Sequence, residues 1–539
     1  MVPAMSFVSI SEKDRVLKDL EPKALWGYFE DLSQIPRPSK HEEKVLQYLK
    51  DFAESHGLLW AQDKIGNLVI KRQGINGGEN ANPVIIQNHV DMVTEQNAGT
   101  AHDFRRDPLR LAVERRPSPS GLEEEWVTAL GTTLGADNGI GAAAALALLA
   151  LGEEEGRPLP PLEALFTVDE ETGLTGAYAL DPGALGLRGR TLLNLDTEEW
   201  GALYVGCAGG GESCITVPPG EREPLEEDEL IFELRVDGLM GGHSGINIHE
   251  GRANAIRILT GVLDAVSEEG YTLRLAALGG GDKHNAIPRE AWARVALLED
   301  EVQEVAAVVR QASKRALKAH RVETAGRVTL LPLEGAREEE GGALTVEETD
   351  LLVALLNDLP LGVLAMSKDL EGLVETSNNL ASVKPSPKVA GGLEVLCSTR
   401  SSDPTQLEDV RARIRSVALL GGASEVAQPG AYPGWRPNPD SAVLGLAREC
   451  AAELLGRRPE VLAIHAGLEC GVLGEKLPGL DMVSLGPTIT GAHSPDEAVA
   501  VATVGPFWDL VLAVLARLAL APPPPGAAAA AAEAPARGV

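Results

Sequence analysis

The sequence predicts an α/β protein: a sheet flanked by helices, with a differently textured α+β segment inserted in the middle of the chain. Three observations carry this. Short apolar runs of strand length end, one after another, in histidine or acidic residues. Helix-length segments separate them. From about Glu212 the texture changes to alternating, acidic strands, and it changes back after about Pro404. Strand, polar tip and helix in rotation is the rhythm of α/β sheets, in which ligands gather beyond the carboxyl ends of the strands.

At 539 residues the chain exceeds what one hydrophobic core fills and points to two or more domains. A hydrophobic content of 44% is ordinary for a globular protein. The formal net charge of -31 argues against non-specific nucleic-acid binding, because a polyanion would be repelled. Such a charge enriches cations near the surface only weakly at physiological salt. Cys207, Cys214, Cys397, Cys450 and Cys470 form no CxxC pair, so a disulfide scaffold is not expected and a reducing cytoplasm is. Residues 1–15 lack the pattern of a secretory signal. No apolar run suits a membrane span; the Ala-rich run at 142–151 is too short and reads as a buried helix.

Taken in order, residues 11–57 read as helical, with a break at Ile35-Pro36-Arg37-Pro38. Asn67-Leu68-Val69-Ile70 and Pro83-Val84-Ile85-Ile86 have strand length and β-branched content. The second strand runs into His89 and Asp91. A polar, acidic loop is expected at 114–125. Gly135-Ala136-Asp137-Asn138-Gly139-Ile140 then opens an Ala/Leu helix, and Phe166-Thr167-Val168 runs into Asp169-Glu170-Glu171. Leu192-Leu193-Asn194-Leu195 ends in Asp196.

In the middle segment, Leu230-Ile231-Phe232-Glu233-Leu234-Arg235-Val236 alternates and residues 252–267 read as a helix. The stretch 321–400 repeats that plan, so two α+β halves in series are expected. A helix at 442–455 precedes Ile464-His465-Ala466-Gly467-Leu468-Glu469-Cys470. Residues 521–539 are rich in Pro and Ala and read as a disordered tail.

His89 and Asp91 share one strand face, where the carboxylate can orient the imidazole through its second nitrogen. Alone, the pair equally describes a satisfied strand-end histidine. Asp137 alone reads as a helix N-cap; its functional reading is a carboxylate with one oxygen on each of two cations. Glu170 and Glu171 would repel each other at a buried strand end. Separate tasks resolve this, one holding a cation and the other taking a proton from water. Asp196 alone is turn chemistry, and His493 sits in a turn-rich loop. Together, two histidines and three carboxylates are an inventory for two divalent cations. Mixed N/O donors suit zinc, with manganese or cobalt as alternatives, better than magnesium or calcium.

The blocks Asn88-His89-Val90-Asp91-Met92-Val93, Gly135-Ala136-Asp137-Asn138-Gly139-Ile140-Gly141, Thr167-Val168-Asp169-Glu170-Glu171-Thr172-Gly173, Asn194-Leu195-Asp196, Gly241-Gly242-His243-Ser244-Gly245, Lys283-His284-Asn285-Ala286-Ile287-Pro288-Arg289 and His493-Ser494-Pro495-Asp496-Glu497 resemble the aminoacyl-histidine dipeptidases. These are co-catalytic zinc peptidases related to carnosinases, aminoacylases and succinyl-diaminopimelate desuccinylases. The likeness runs from about Ser11 to Ala519.

The resemblance implies a zinc-exopeptidase-like catalytic domain with a mixed sheet, built from residues 1–208 and 405–520. A doubled α+β lid occupies 209–404 and the tail 521–539. It implies that His89 and Asp196 hold one metal, Glu171 and His493 the other, and that Asp137 bridges them. Asp91 would orient His89, Glu170 would be the general base, and the Asp137-Asn138 peptide would be cis. His243 would stabilise the oxyanion, its bland alternative being a loop histidine. Asn285 and Arg400 would contact substrate, Arg400 by clamping a carboxylate; Arg400 is equally readable as a surface residue. His465 and Glu469 have i, i+4 spacing, but the resemblance gives the ligand role to His493, which leaves His465 a substrate contact.

The implied reaction is hydrolysis of a dipeptide with a free N-terminus, including Xaa-His substrates, in the cytoplasm, without nucleic acid or membrane. A homodimer through the lid is a further expectation. In single-lid relatives the lid histidine serves the partner; a doubled lid could supply it in cis, so both directions stay open. N-acyl-amino-acid hydrolysis is the near rival, and an inactive metal-bound binding protein the distant one.

Overall fold

The computed structural model describes residues 12–117, 123–333, 342–368 and 370–521. The tail expected at 521–539 lies outside the described residues apart from Ala521. Two compact units divide the chain. The first comprises residues 1–205, 438–463 and 472–539, and the second 206–437 and 464–471.

The first unit is built on an eight-stranded mixed sheet. Its strand order is Leu59–Gln62, Leu68–Arg72, Leu162–Thr167, Val84–His89, Thr191–Asn194, Asp481–Ser484, Ala202–Cys207 and Glu460–Ile464. The four strands from Leu162–Thr167 to Asp481–Ser484 run parallel. They are buried on both faces, which is why they read as unbroken apolar runs rather than alternating ones. Val84, Ile85 and Ile86 are buried, as are Leu192 and Leu193.

Helix Ala136–Ala150 is apolar on nearly all sides and buried. Helix Val501–Leu520 buries Val504, Phe507, Val511, Val514 and Leu515. By length and composition alone this helix could cross a membrane, which corrects the expectation that no apolar run is suited to one. Its most apolar stretch is 44% buried.

Two local expectations are corrected in this unit. The helical reading of 11–57 holds for Lys23–Ser33 and Glu43–Ser55, with the break between them, but only a short 3-10 turn, Glu12–Asp14, precedes them among the described residues. The described residues of the acidic segment 114–125, 114–117 and 123–125, are strand rather than loop. Strands Leu111–Pro117 and Glu123–Ala129 pair antiparallel. The buried side chains of Leu111, Val127 and Ala129 anchor it, while its acids face outward beside Arg115 and Arg116.

The second unit is an antiparallel nine-stranded sheet with helices packed on it. The order strand, helix, strand, strand, helix occurs first as Glu229–Asp237, Ala255–Glu268, Leu273–Gly281, Ala291–Leu298 and Val302–Ala319. From Arg327–Pro332 onward it recurs with Val346–Asp358, Val374–Pro385, Leu393–Ser401 and Pro404–Leu420, plus a short extra strand Gly362–Met366. Both sets feed one core, including Ile256, Leu259, Leu275, Val295, Leu356, Leu380, Val395 and Ile414. The chain returns to the first unit at Asn438, not at about 405. The reason is that helix Pro404–Leu420 and strand Glu425–Ala427 close this second layer, burying Leu407, Ile414 and Ala418.

Candidate metal centre

The four parallel strands of the first unit end side by side. His89 is the last residue of its strand. Asp169, Glu170 and Glu171 follow Leu162–Thr167, and Asp196 follows Thr191–Asn194. His493 comes from the hairpin between Ile489–Thr490 and Ala498–Ala500. Asp137 comes from the turn that opens helix Ala136–Ala150.

The two oxygens of Asp137 face different neighbours. Oδ1 lies 3.1 Å from His89 Nε2, and that nitrogen is 3.5 Å from Asp196 Oδ1. Oδ2 lies 3.1 Å from His493 Nε2, and that nitrogen is 3.1 Å from Glu171 Oε2. One carboxylate is thus shared between two imidazole–carboxylate pairs. Candidate ligand atoms of His89, Asp137 and Glu171 all lie within 4.8 Å of one another. Glu171 Oε1 is buried and accepts no hydrogen bond.

Electrostatics follow from this crowding. Burial opposes ionisation of Asp137, but hydrogen bonds from His493 and His89 overcome it and hold its pKa below the ordinary carboxylate range. Asp196 is pushed up to about 6 by burial, against the pull of His89 and with the push of Asp137 and Glu171. The two acids differ because Asp137 has two imidazoles at 3.1 Å and Asp196 has one at 3.5 Å. His493 is raised to about 11 by its bonds to Asp137 and Glu171. Burial disfavours the charged form of His89, yet Asp196 and Asp137 lift its pKa well above the ordinary value. The carboxylates therefore favour positive charge, which the two imidazoles and, from further off, the buried Arg37 supply.

Asp91 stands behind this arrangement. Its Oδ1 is 3.3 Å from His89 Nδ1. It accepts the amides of Glu170 at 3.1 Å and Glu171 at 3.3 Å, and the Ser39 hydroxyl at 2.8 Å. The backbone at Glu170 is thereby placed beside the His89 strand.

Asp137 is not the N-cap its local sequence suggests. The cap position is Gly135, in the left-handed region at φ 67, with no side-chain cap. The Asp137-Asn138 peptide is cis. Sequence reasoning missed two residues here. Arg37, fully buried, was read only as part of a helix break; it donates to the carbonyls of Val90, Asp91 and Gly135. Glu497, also buried, accepts four backbone amides of the Asp137 turn. No local pattern gives either a role, although Glu497 closes the block quoted around His493, since each acts on residues far away in sequence.

The remaining predicted residues lie in the second unit. His243 Nδ1 accepts the amides of Gly245 at 3.1 Å and Ile246 at 3.0 Å, so its proton resides on Nε2. Burial, with the Arg400 charge adding to it, lowers the His243 pKa to about 4. Arg400 is buried rather than at the surface. It donates to the Tyr432 hydroxyl at 2.9 Å, and its Nε has no hydrogen-bond partner. Gly245 sits between them: a Cβ there would overlap the His465 carbonyl oxygen and approach His243 Cε1 at 3.1 Å and Arg400 Cδ at 3.2 Å.

His465 is buried with Nε2 2.8 Å from Ser377 Oγ. It lies in a bend ahead of helix Glu469–Lys476, so His465 and Glu469 share no helix face. Asn285 is exposed and reaches this group through its backbone, its carbonyl accepting the Ser244 amide at 2.8 Å.

Comparison with known proteins fits this arrangement. The model of peptidase family M20/M25/M40 matches residues 85–517. The chain is 40% identical over 499 residues to cytosol non-specific dipeptidase of Escherichia coli (strain K12), covering 93% of this chain and 98% of that protein. It is similar to the crystal structure of aminoacylhistidine dipeptidase from Vibrio alginolyticus at 38% identity and a TM-score of 0.83, covering 94% and 99% of the two chains. A tripeptidase from Staphylococcus aureus, at 17% identity, a TM-score of 0.50 and coverage of 93% and 99%, shares the fold.

Proposed function

The chain belongs to peptidase family M20/M25/M40, and we propose that it is a cytoplasmic dipeptidase dependent on two divalent cations. The single observation that carries the metal reading is the division of the Asp137 oxygens, one toward His89 and Asp196, the other toward His493 and Glu171. The residues present fit such ions. A buried carboxylate oxygen on Glu171 is left without a donor, and three carboxylates converge on two imidazoles. His89 and Asp196 would hold one ion, Glu171 and His493 the other, with Asp137 between. The N/O donor set suits zinc, with manganese or cobalt as alternatives.

Bound cations would polarise the scissile carbonyl and acidify an attacking water. Glu170 would take a proton from an attacking water and pass it to the leaving amine. Asp91 keeps the His89 ring oriented. In the second unit, neutral His243 carries its proton on Nε2 and the buried Arg400 has an unused donor, the chemistry that an oxyanion contact and a carboxylate clamp require. A dipeptide substrate is supported by the names of the relatives at 40% and 38% identity. The word cytosol in the first of these names supports the compartment, as do the five free cysteines.

The test is Glu170→Ala, with metal content and turnover measured on the same preparation. Turnover falls by about 100-fold or more while both cations remain. Loss of the metals, or survival of activity, removes Glu170 from the role of base. Release from carnosine-like dipeptides compared with release from N-acetyl amino acids separates the dipeptidase from an N-acyl-amino-acid hydrolase.

A further inference from the structure

We propose that Glu497 is a positioning residue that sets the second cation site by locking the Asp137 turn against the His493 hairpin; the proposal rests on the metallohydrolase reading above.

A helix start needs acceptors for its first amides, and an aspartate oxygen is a preferred acceptor there. Asp137 is in the right place to serve, yet both its oxygens are turned toward imidazoles. Glu497 does the capping instead. Its Oε2 accepts Leu134 at 2.8 Å and Gly135 at 2.9 Å, and its Oε1 accepts Ala136 at 2.7 Å and Asp137 at 3.2 Å. Four amides on one buried carboxylate leave the Asp137 side chain free of capping work.

Glu497 is also fixed at its own backbone. Its amide donates to the Ser494 carbonyl at 3.1 Å. Its carbonyl accepts the Thr128 hydroxyl at 2.9 Å. The next residues, Ala498–Ala500, pair with Glu123–Ala129. Glu497 and His493 belong to the same hairpin, four residues apart. The bonds of Glu497 therefore determine how far Asp137 Oδ2 stands from His493 Nε2.

The other half of the centre is set by a different side chain. Arg37 donates to Val90 and Asp91 carbonyls at 3.0 and 2.9 Å and to Gly135 at 2.5 Å. It ties the Asp137 turn to the His89 strand. The division of labour is thus explicit: Arg37 registers Asp137 with His89, and Glu497 registers it with His493. Loss of Glu497 should weaken one site selectively.

The experiment is equilibrium dialysis of the full chain against chelator-buffered zinc, with bound zinc measured by mass spectrometry. Wild type, Glu497→Gln and His493→Ala are compared. Glutamine keeps the shape but brings an amide donor against the turn's N–H groups. Wild type binds two equivalents. Glu497→Gln retains one with wild-type affinity and weakens the other about 10- to 100-fold, the scale for residues that orient metal ligands, as His493→Ala does more severely. The circular dichroism and thermal midpoint of the chelated variants check folding, and Glu497→Asp is used in the same assay if the glutamine variant does not fold. Two equivalents at wild-type affinity, or joint loss of both, overturns the proposal. Fewer than two equivalents in wild type would instead overturn the dinuclear reading itself.

Discussion

Asp91 Oδ1 lies 3.3 Å from His89 Nδ1, and the same carboxylate accepts the amides of Glu170 and Glu171. Burial opposes its ionisation, but His89, the Glu170 amide and the Ser39 hydroxyl hold its pKa below the ordinary range. One side chain thus orients a proposed ligand and places the backbone of the proposed base. Asp91→Ala should lower zinc affinity by about 10- to 100-fold and reduce turnover even when zinc is saturating. Full activity at saturating zinc would confine Asp91 to metal binding.

His243 should remain neutral well into the acid range. Burial, then the Arg400 charge, places its pKa at about 4, and two backbone amides occupy Nδ1. Long-range proton–nitrogen correlation on histidine-labelled protein is expected to show a hydrogen-bearing Nε2 and a bare Nδ1 from pH 8 down to pH 5. A protonated ring at pH 6 contradicts the arrangement.

His465 makes stability pH-dependent. Burial, with Arg400 next, lowers its pKa to about 3, against about 6.5 in the unfolded chain. The unfolded state therefore binds the extra proton first. Its contribution to stability is complete above about pH 6.5 and is lost as pH falls from there toward 3. Between pH 6.5 and pH 5 the loss is about 2 kcal/mol at most. Urea unfolding of chelated wild type and His465→Gln at pH 7 and pH 5 measures it. The variant should show the smaller pH dependence, and equal dependence in the two proteins would refute the buried neutral histidine.

Much of the centre was legible because buried parallel strands write themselves as apolar runs, and a polar residue at the tip of such a run is conspicuous. His89, Asp196 and the pair Glu170-Glu171 stand out that way; the resemblance, not the run, gives the cation to Glu171. Asp137 was locally indistinguishable from a helix cap, because capping and bridging both call for an aspartate at a helix start. Only the occupation of the turn's amides by Glu497 separates the two. Arg37, between two prolines, looked like punctuation. Its three backbone acceptors lie 53, 54 and 98 residues away.

The sequence by itself determined the α/β class and the inserted segment, because burial and periodicity are local properties of a chain; which of its acids and histidines are metal-ligand candidates came from resemblance to a family. The tertiary structure alone decided which oxygen of Asp137 faces which imidazole. It also decided that Arg400 is buried beside Tyr432, and that the middle unit extends to Pro437. Each of these depends on long-range pairing, and pairing leaves no periodic trace in the residues that take part in it.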